Sequence, residues 1–473
     1  MSYLQNKNMS WILPVLHVII GALFLLWVPL MLGFPHFDDD TIGYLIDAMY
    51  PKHGSIFRPL WYGVLLETAR PYTLWLAVIV QSLIMCGCIL RLAKVTGLAT
   101  LTQALMAIIL VSLFTEVSVT VGKLSPDMAT PLLAICLLLL YYEKNRVGKL
   151  IAAILCFLTA IVHLSNPIIL TILLSAMGLI EVIKSRSMKR VLPLVFLLIT
   201  LVAGIFAVNR LHSPNGFLPR AWGAFLVSRA YKFELLPKFL KEHCPSQSEP
   251  ICRFQKEIEN KEVFLWGRKR IVEKLGHHPD NHYLEDLGWR IAKRYPFEYL
   301  MAMFKYGWMQ ITYIDRFRPY HALTSKHLEK SWAIFISKRD LRAFREVRRR
   351  SASLVNFYEK EEVTPELILF SIQKFSIYLS GFVLFSCCLL GPSYGRIPQI
   401  ARFIVLFFLT NSFVCGAMAG PSPRYQLRLV WILPLFGILL LTRLWNTRSA
   451  RISARDERSF AVRLKGRLLA TSS

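Results

Sequence analysis

Tyr72-Thr-Leu-Trp-Leu-Ala-Val-Ile-Val-Gln-Ser-Leu-Ile-Met-Cys-Gly-Cys-Ile-Leu-Arg91-Leu-Ala-Lys94 decides the fold class of this chain. No charged residue interrupts it before Arg91. A helix needs about 20 apolar residues to cross a hydrocarbon core about 30 Å thick, and this run supplies them. Nine further runs repeat the pattern, near 11–33, 97–118, 127–142, 150–164, 166–183, 191–208, 365–390, 402–418 and 427–445. They predict an all-α polytopic membrane protein of about ten transmembrane helices, with a large, mostly helical periplasmic insertion. The first run is longer than a signal peptide's apolar segment and no small-x-small cleavage site follows it, so it is expected to stay as an anchor.

Composition agrees. The 473 residues are 54% hydrophobic and 18% charged, against about 25% charged in soluble domains. Such a chain is neither disordered, collagen-like, coiled-coil nor a disulfide-dense miniprotein. Its net charge of +26, from 56 Lys and Arg against 30 Asp and Glu, does not indicate nucleic acid as a partner. The cations are scattered between apolar runs, where they act as topology signals and contacts to anionic head groups. Membrane lipid is therefore the expected partner.

Charge also sets the orientation. Arg91 and Lys94 follow the second run, and Lys144, Arg146 and Lys149 follow the fourth. Lys184, Arg186, Lys189 and Arg190 follow the sixth, and Arg396 and Arg402 flank the start of the ninth. Arg443 and the tail from Arg448 to Arg467 follow the last. With ten spans all of these lie on one side. The positive-inside rule makes that side cytoplasmic, with both termini inside, in a bacterial inner membrane. The chain then divides into an N-terminal transmembrane module (1–208) with an acidic first outer loop, a periplasmic insertion (209–364), a C-terminal transmembrane module (365–445) and a basic cytoplasmic tail (446–473). The insertion is basic too, but long translocated domains escape the charge rule. Seven of the nine cysteines sit in apolar runs. The other two, Cys244 and Cys252, bracket a short loop that reads as a disulfide of an oxidising compartment. Within the insertion, Ala292–Tyr313 is expected to be an amphipathic helix on the membrane or an eleventh span. Lys338–Arg350 is expected to be a basic helix with Phe344 and Val347 on its apolar side. Its cations suit lipid head groups or the phosphate of a lipid-linked substrate.

The residues with chemistry gather on the outer face. Pro35-His36-Phe37-Asp38-Asp39-Asp40-Thr41-Ile42-Gly43-Tyr44-Leu45 holds three adjacent carboxylates. Like charges so close are expected to raise one another's pKa, as a general base near neutral pH requires. The three oxygens also suit a divalent cation, and Asp40 alternatively caps a helix beginning at Thr41. Phe57-Arg58-Pro59-Leu60-Trp61-Tyr62 places a guanidinium, which fits phosphate as a fork, among interfacial aromatics. His163-Leu164-Ser165-Asn166-Pro167 lies at the outer end of two helices, and Arg424-Tyr425 opens the last span. Lys123 and Asp127 bracket the loop before the fourth span and pair naturally with each other. All of these fall on one face, which predicts a shared cavity there.

In that order, Asp-Asp-Thr-Ile-Gly-Tyr-Leu, Arg-Pro-Leu-Trp-Tyr-Gly-Val-Leu-Leu, Ser125-Pro126-Asp127, His163 to Pro167 and Arg424-Tyr425 resemble the glycosyltransferases of the GT-C superfamily, nearest to the protein mannosyltransferase-like branch. The resemblance covers about 34–208 and 402–445. It implies an inverting enzyme that moves a sugar from a polyprenyl-phosphate donor, its co-substrate, to a cell-envelope glycan or lipid. It implies that an Asp of the first loop takes the acceptor's proton. Asp40 matches best by its spacing to Tyr44, followed by Asp39 and Asp38. Arg58, Arg424 and Lys123, with His163 and Tyr425 beside them, would steady the leaving phosphate. Three Asp stand where that branch has Asp-Glu, which leaves the base open and leaves room for a divalent cation on Asp38, Asp39 and Asp40.

Two other readings stay open. An O-antigen polymerase or ligase would rely on insertion residues such as Arg290, Arg316 or Arg318. A non-catalytic lipid or glycan transporter would need charged or broken helices at mid-membrane, where this chain has only Gln81, Gln103 and Gln373. The stretch Gly276-His-His-Pro-Asp-Asn-His282 lacks the ligand spacing of a closed zinc site. No nucleotide-binding loop or serine-nucleophile elbow is present.

Overall fold

The computed structural model describes residues 12–37, 39–49, 58–185, 188–210, 222–244, 249–260, 271, 275, 282–314, 340–343, 345–346 and 365–449. Among these residues the regular elements are helices. Extended pairing is limited to one parallel bridge between His36 and Lys123.

The first module opens with α1 (Ile12–Leu25) and α2 (Trp27–Leu32), then α3 (Asp39–Met49) and α4 (Leu60–Ala69). The run at 11–33 is thus broken. Leu26 leaves helical geometry, Pro29 has no N–H to give, and Gly33 closes α2 in the left-handed region at φ 81°. Next come α5 (Trp75–Thr96), α6 (Leu101–Phe114), α7 (Val117–Val121), α8 (Ala129–Tyr142), α9 (Arg146–Ile161), α10 (Ser165–Ser185) and α11 (Met188–Arg210). Their ends are read from local chemistry. Thr100 and Gln103 form a reciprocal capping box at the start of α6, and Asn145 accepts from Val147 N (2.8 Å) and Gly148 N (3.5 Å) at the start of α9.

The insertion holds α12 (Trp222–Lys232), α13 (Leu235–His243), α14 (Gln255–Glu259), α15 (His282–Arg294) and α16 (Pro296–Thr312). It has a core of its own, with Ala224, Val227, Leu236, Ile251, Leu284, Leu287 and Ile291 among its fully buried residues. Cys244 and Cys252 are joined as a disulfide, their Cα atoms 5.4 Å apart. The single helix expected over Ala292–Tyr313 is two. Pro296 cannot donate into the preceding turn, so the chain bends at Tyr295 and restarts. α15 enters the insertion core. α16 packs against the last module and leaves Phe297, Leu300, Met301, Phe304 and Trp308 exposed along one stripe. Of the expected basic helix, Phe344, Val347 and most cations lie outside the described residues. Buried Asp340, from the same stretch, accepts from Thr73 Oγ1 (3.0 Å) and Leu74 N (3.3 Å) at the start of α5.

The last module comprises α17 (Pro365–Leu389), α18 (Ile397–Ala419) and α19 (Pro423–Ser449), the last with a turn at Trp431. Four helices among the described residues are long and apolar enough to cross a membrane: Trp75–Thr96, Phe370–Leu389, Ile397–Ala419 and Pro423–Ser449. The apolar stretches Ile12–Leu25, Leu101–Phe114, Pro126–Tyr142, Ser165–Ile180 and Leu198–Ala207 are shorter. Burial ranks the long ones. In an 18-residue apolar stretch of the last helix 72% of the residues are buried, against only 22% in Phe370–Leu389, so the former is central and the latter peripheral. α8 is also central, since Leu132 to Leu139 are all buried.

The bundle has two distinct ends. At one, Arg91 Nε meets Glu143 Oε2 at 2.6 Å and Arg396 donates to Val95 O at 2.8 Å. There Lys94, Arg396, Arg443 and Arg448 line one hollow. At the other end lie the first loop, the turns before α8 and α10, and the loop between α18 and α19.

Candidate functional site

The end of the bundle that holds the first loop is stitched together by backbone and amide hydrogen bonds as well as by ion pairs. His36 N donates to Gly122 O (3.0 Å) and Leu124 N to His36 O (2.7 Å), tying the start of the first loop to the Lys123 loop. Gln81, inside α5, donates to Val121 O (3.1 Å) and Lys123 O (3.3 Å) and accepts from Tyr62 OH (2.6 Å). Tyr62 in turn meets Tyr44 edge to face at 5.5 Å. Gln81 is therefore a buried tie between α4, α5 and this loop. Gln103 pairs with Asn446, and Gln373 accepts from Glu116 N, so all three glutamines bind helix to helix.

On this frame sits one ionic cluster. Asp40, in the first turn of α3, accepts from Arg58 Nη2 at 2.7 Å and Nε at 3.3 Å. Its second oxygen pairs with Arg424 Nη1. Arg58 crosses α3 at Gly43, where any Cβ would collide with the guanidinium, and lies 5.7 Å from the Tyr44 ring. Arg424 also reaches the second carboxylate, with Nε 2.9 Å from Asp127 Oδ2. That oxygen also accepts from Lys123 Nζ (3.2 Å) and Ser125 Oγ (3.0 Å). Asp127 Oδ1 has no hydrogen bond among the described residues. It faces His163 Nε2 at 3.8 Å and Arg428 Nη1 at 3.9 Å.

Arg428 completes the cluster. It is 1% exposed and donates to His163 Nε2 (2.8 Å), Ser165 Oγ (3.1 Å), Asn411 Oδ1 (2.8 Å) and Cys415 Sγ (2.9 Å). Because an arginine donates to Nε2, that nitrogen carries a lone pair. Nδ1 on the other side of the ring faces Ser165, 2.9 Å from its Oγ and 3.3 Å from its backbone N.

Among the described residues in direct contact, four cations (Arg58, Lys123, Arg424, Arg428) thus meet two carboxylates (Asp40, Asp127). Asp47 acts on Arg58 from further off. Arg424 and Arg428 also stand in the first two turns of α19, where the helix dipole adds positive potential. The guanidiniums offer the forked donors that phosphate accepts.

The expected raised pKa of the first-loop carboxylate is corrected by this arrangement. Burial pushes the Asp40 carboxyl up, but the Arg424 and Arg58 guanidiniums overcome it and hold the group at about 2. The neighbours that decide its charge are cations from distant segments. Burial pushes the Tyr44 hydroxyl well up, helped by the Asp40 carboxylate. Burial, then the Lys123 ammonium, lowers His36 to about 3. The alternative of Asp40 as a cap before Thr41 does not hold either, because α3 already begins at Asp39.

Of the residues singled out in the sequence, Asp40, Arg58, Lys123, Asp127, His163 and Arg424 are brought together. Tyr44 lines the cluster beneath Arg58. Tyr425 stands behind it, its ring 5.4 Å from the Arg428 guanidinium. Asp38 lies outside the described residues, as does the side chain of Asp39. Arg316, Arg318, His277 and His278 lie outside them too. Arg290 is held by Glu249 (2.6 Å) and Asp286 (2.8 Å) within the insertion, away from the cluster. The residues missed were Arg428, Asn411 and Cys415. The available signal was the four-residue spacing of Arg424 and Arg428, which sets both on one helix face.

A divalent cation at Asp40 would meet two guanidiniums already on its oxygens. Among the described residues no group of three His, Cys, Asp or Glu converges. The carboxylates of Asp38 and Asp39, which such a cation would also need, lie outside the described residues. Comparison with protein-family models, with curated proteins and with solved structures finds no match to this chain.

Proposed function

We propose that this chain is an inner-membrane glycosyltransferase that moves a sugar from a polyprenyl-phosphate donor to a cell-envelope glycan or lipid. In this reading about ten helices cross a bacterial inner membrane, both termini are cytoplasmic, and the insertion and the ionic cluster face the periplasm. The observation that carries it is the cluster itself: a carboxylate of the first loop held between two guanidiniums, one of which also binds a second, buried carboxylate. The order of these residues, which resembles that of GT-C enzymes, supports the same reading.

The chemistry follows from the charges. The donor phosphate enters among Arg58, Arg424, Lys123 and Arg428 and competes with Asp40 for its guanidiniums. Asp40 then loses the contacts that depress its pKa and becomes a stronger base. The acceptor oxygen attacks the anomeric carbon, and its proton passes to Asp40. The bond from that carbon to the phosphate oxygen breaks, and the lipid phosphate leaves with both electrons. The cations stabilise the charge that develops on it. Attack opposite the leaving group inverts the anomeric centre.

The test is transfer of radiolabel from polyprenyl-phosphate sugars into envelope glycan, in membranes carrying the wild type or Asp40→Asn. Loss of a positioned base is expected to lower transfer about 10²- to 10⁴-fold with the protein still inserted. Transfer unchanged in Asp40→Asn removes the base assignment, and no transfer from any donor by the wild type removes the reading.

A further inference from the structure

A second group of cations lies where the insertion meets the loop between α18 and α19. Arg229, in α12, is 8% exposed, and its Nη1 has no hydrogen-bond partner among the described residues. Its guanidinium leans on the Phe233 ring, 5.6 Å from the centre. One turn on, Lys232 reaches solvent and donates to Ala419 O at 3.0 Å. The two heads converge above Gly420. A Cβ there would lie 3.1 Å from Lys232 Nζ and 3.4 Å from Arg229 Nη1, and the glycine holds φ at 83°. Among the described residues no carboxylate pairs with either cation. Burial lowers Arg229 to about 10, only partly offset by the nearby phenols of Tyr299, Tyr425 and Tyr306.

Burying one cation without a counter-charge is costly, and setting a second beside it adds repulsion. The cations of the ionic cluster are different, because each meets a carboxylate or a polar side chain. An anionic phosphate between Arg229 and Lys232 would lower both costs. Lys232 stands at the open side and Arg229 at the floor. The loop they press on, 419–422, runs directly into Pro423 and Arg424.

We propose that Arg229, Lys232 and the loop 419–422 form a second phosphate-binding subsite, built by the insertion beside the ionic cluster. It takes the phosphate of a bilayer head group or of a phosphorylated acceptor. The binding stands on this geometry; only its use in sugar transfer rests on the function proposed above.

The full-length protein in neutral phosphatidylcholine nanodiscs is titrated with inorganic phosphate by calorimetry. Two phosphates per chain are expected for the wild type, and one each for Arg229→Met and Lys232→Gln. Lys232→Gln changes a solvent-facing side chain and keeps the test valid if Arg229→Met fails to fold. A second readout is thermal. Without phosphate, Arg229→Met is expected to melt no lower than the wild type, because it removes an uncompensated charge. With phosphate the wild type is expected to gain more than either variant, each of which keeps only the phosphate of the ionic cluster. Repeating the titration in phosphatidylglycerol nanodiscs separates the sources. A head-group site is already filled and its phosphate uptake disappears, whereas an acceptor site still takes up phosphate. Equal stoichiometry in wild type, Arg229→Met and Lys232→Gln overturns the proposal. Failure of the neighbouring reading looks different: the Arg424-dependent phosphate is absent while the Arg229-dependent one remains.

Discussion

Arg428 and Arg396 sit at opposite ends of the same helix bundle and are handled in opposite ways. Arg428 is almost wholly buried and donates to four side chains, close to Asp127. Arg396 is exposed, donates to one backbone carbonyl and shares a hollow with Lys94, Arg443 and Arg448. Both ends are rich in cations, so charge count alone does not tell them apart. Burial and pairing do. Exposed cations at a membrane boundary act on lipid and on topology. Buried cations knit to carboxylates are costly to assemble, and such assemblies concentrate at functional sites.

The largest test of this contrast is Asp127→Ala. It would leave Arg424, Lys123 and Arg428 without their shared carboxylate. Removing one partner of a buried charge network costs about 3–5 kcal/mol, so much less folded protein is expected in a detergent-extracted thermal unfolding assay. A melting temperature equal to that of the wild type would show that the cluster is not held by this carboxylate.

An intermediate effect is expected with pH. The folded pKa of Asp40 lies below its ordinary value of 3.8. Its stabilisation is therefore fully present above about pH 4 and is lost as pH falls from there towards about 2. Unfolding of the wild type minus that of Asp40→Asn should show this loss in that window. A difference that is flat across it would contradict the guanidinium pairing.

The smallest effect belongs to the other end. Arg396→Gln removes an exposed cation that holds one backbone carbonyl and lies over the Tyr142 ring, and the expected cost is within about 1 kcal/mol. A loss as large as that of Asp127→Ala would erase the contrast between the two ends.

The same contrast explains what was legible in the sequence. Apolar runs placed helices at every predicted span, because hydrophobic length is a local property. They did not show where a run breaks, as at Leu26 and Pro29, or how many helices are long enough to cross. Asp40, Arg58, Lys123, His163 and Arg424 were legible because they are polar residues at the ends of apolar runs. The charge state of Asp40 was not. Its sequence neighbours are carboxylates, but its partners come from 18 and 384 residues away. Arg428 was missed because, inside a span, a lone arginine looks like a side chain reaching for the interface. Only the packing of α18 and the His163 turn around it reveals a fixed donor. Arg229 and Lys232 were illegible for the same reason, since their shared contact is a glycine about 190 positions later.

The most direct measurement is binding of a polyprenyl phosphate to the purified full-length chain in neutral nanodiscs, for the wild type and for Arg424→Gln. If the guanidiniums of the ionic cluster serve a lipid phosphate, the wild type binds saturably and Arg424→Gln binds at least about tenfold more weakly, as expected for a lost charge-assisted fork. Equal affinity in the two proteins, or no saturable binding by the wild type, would contradict that account.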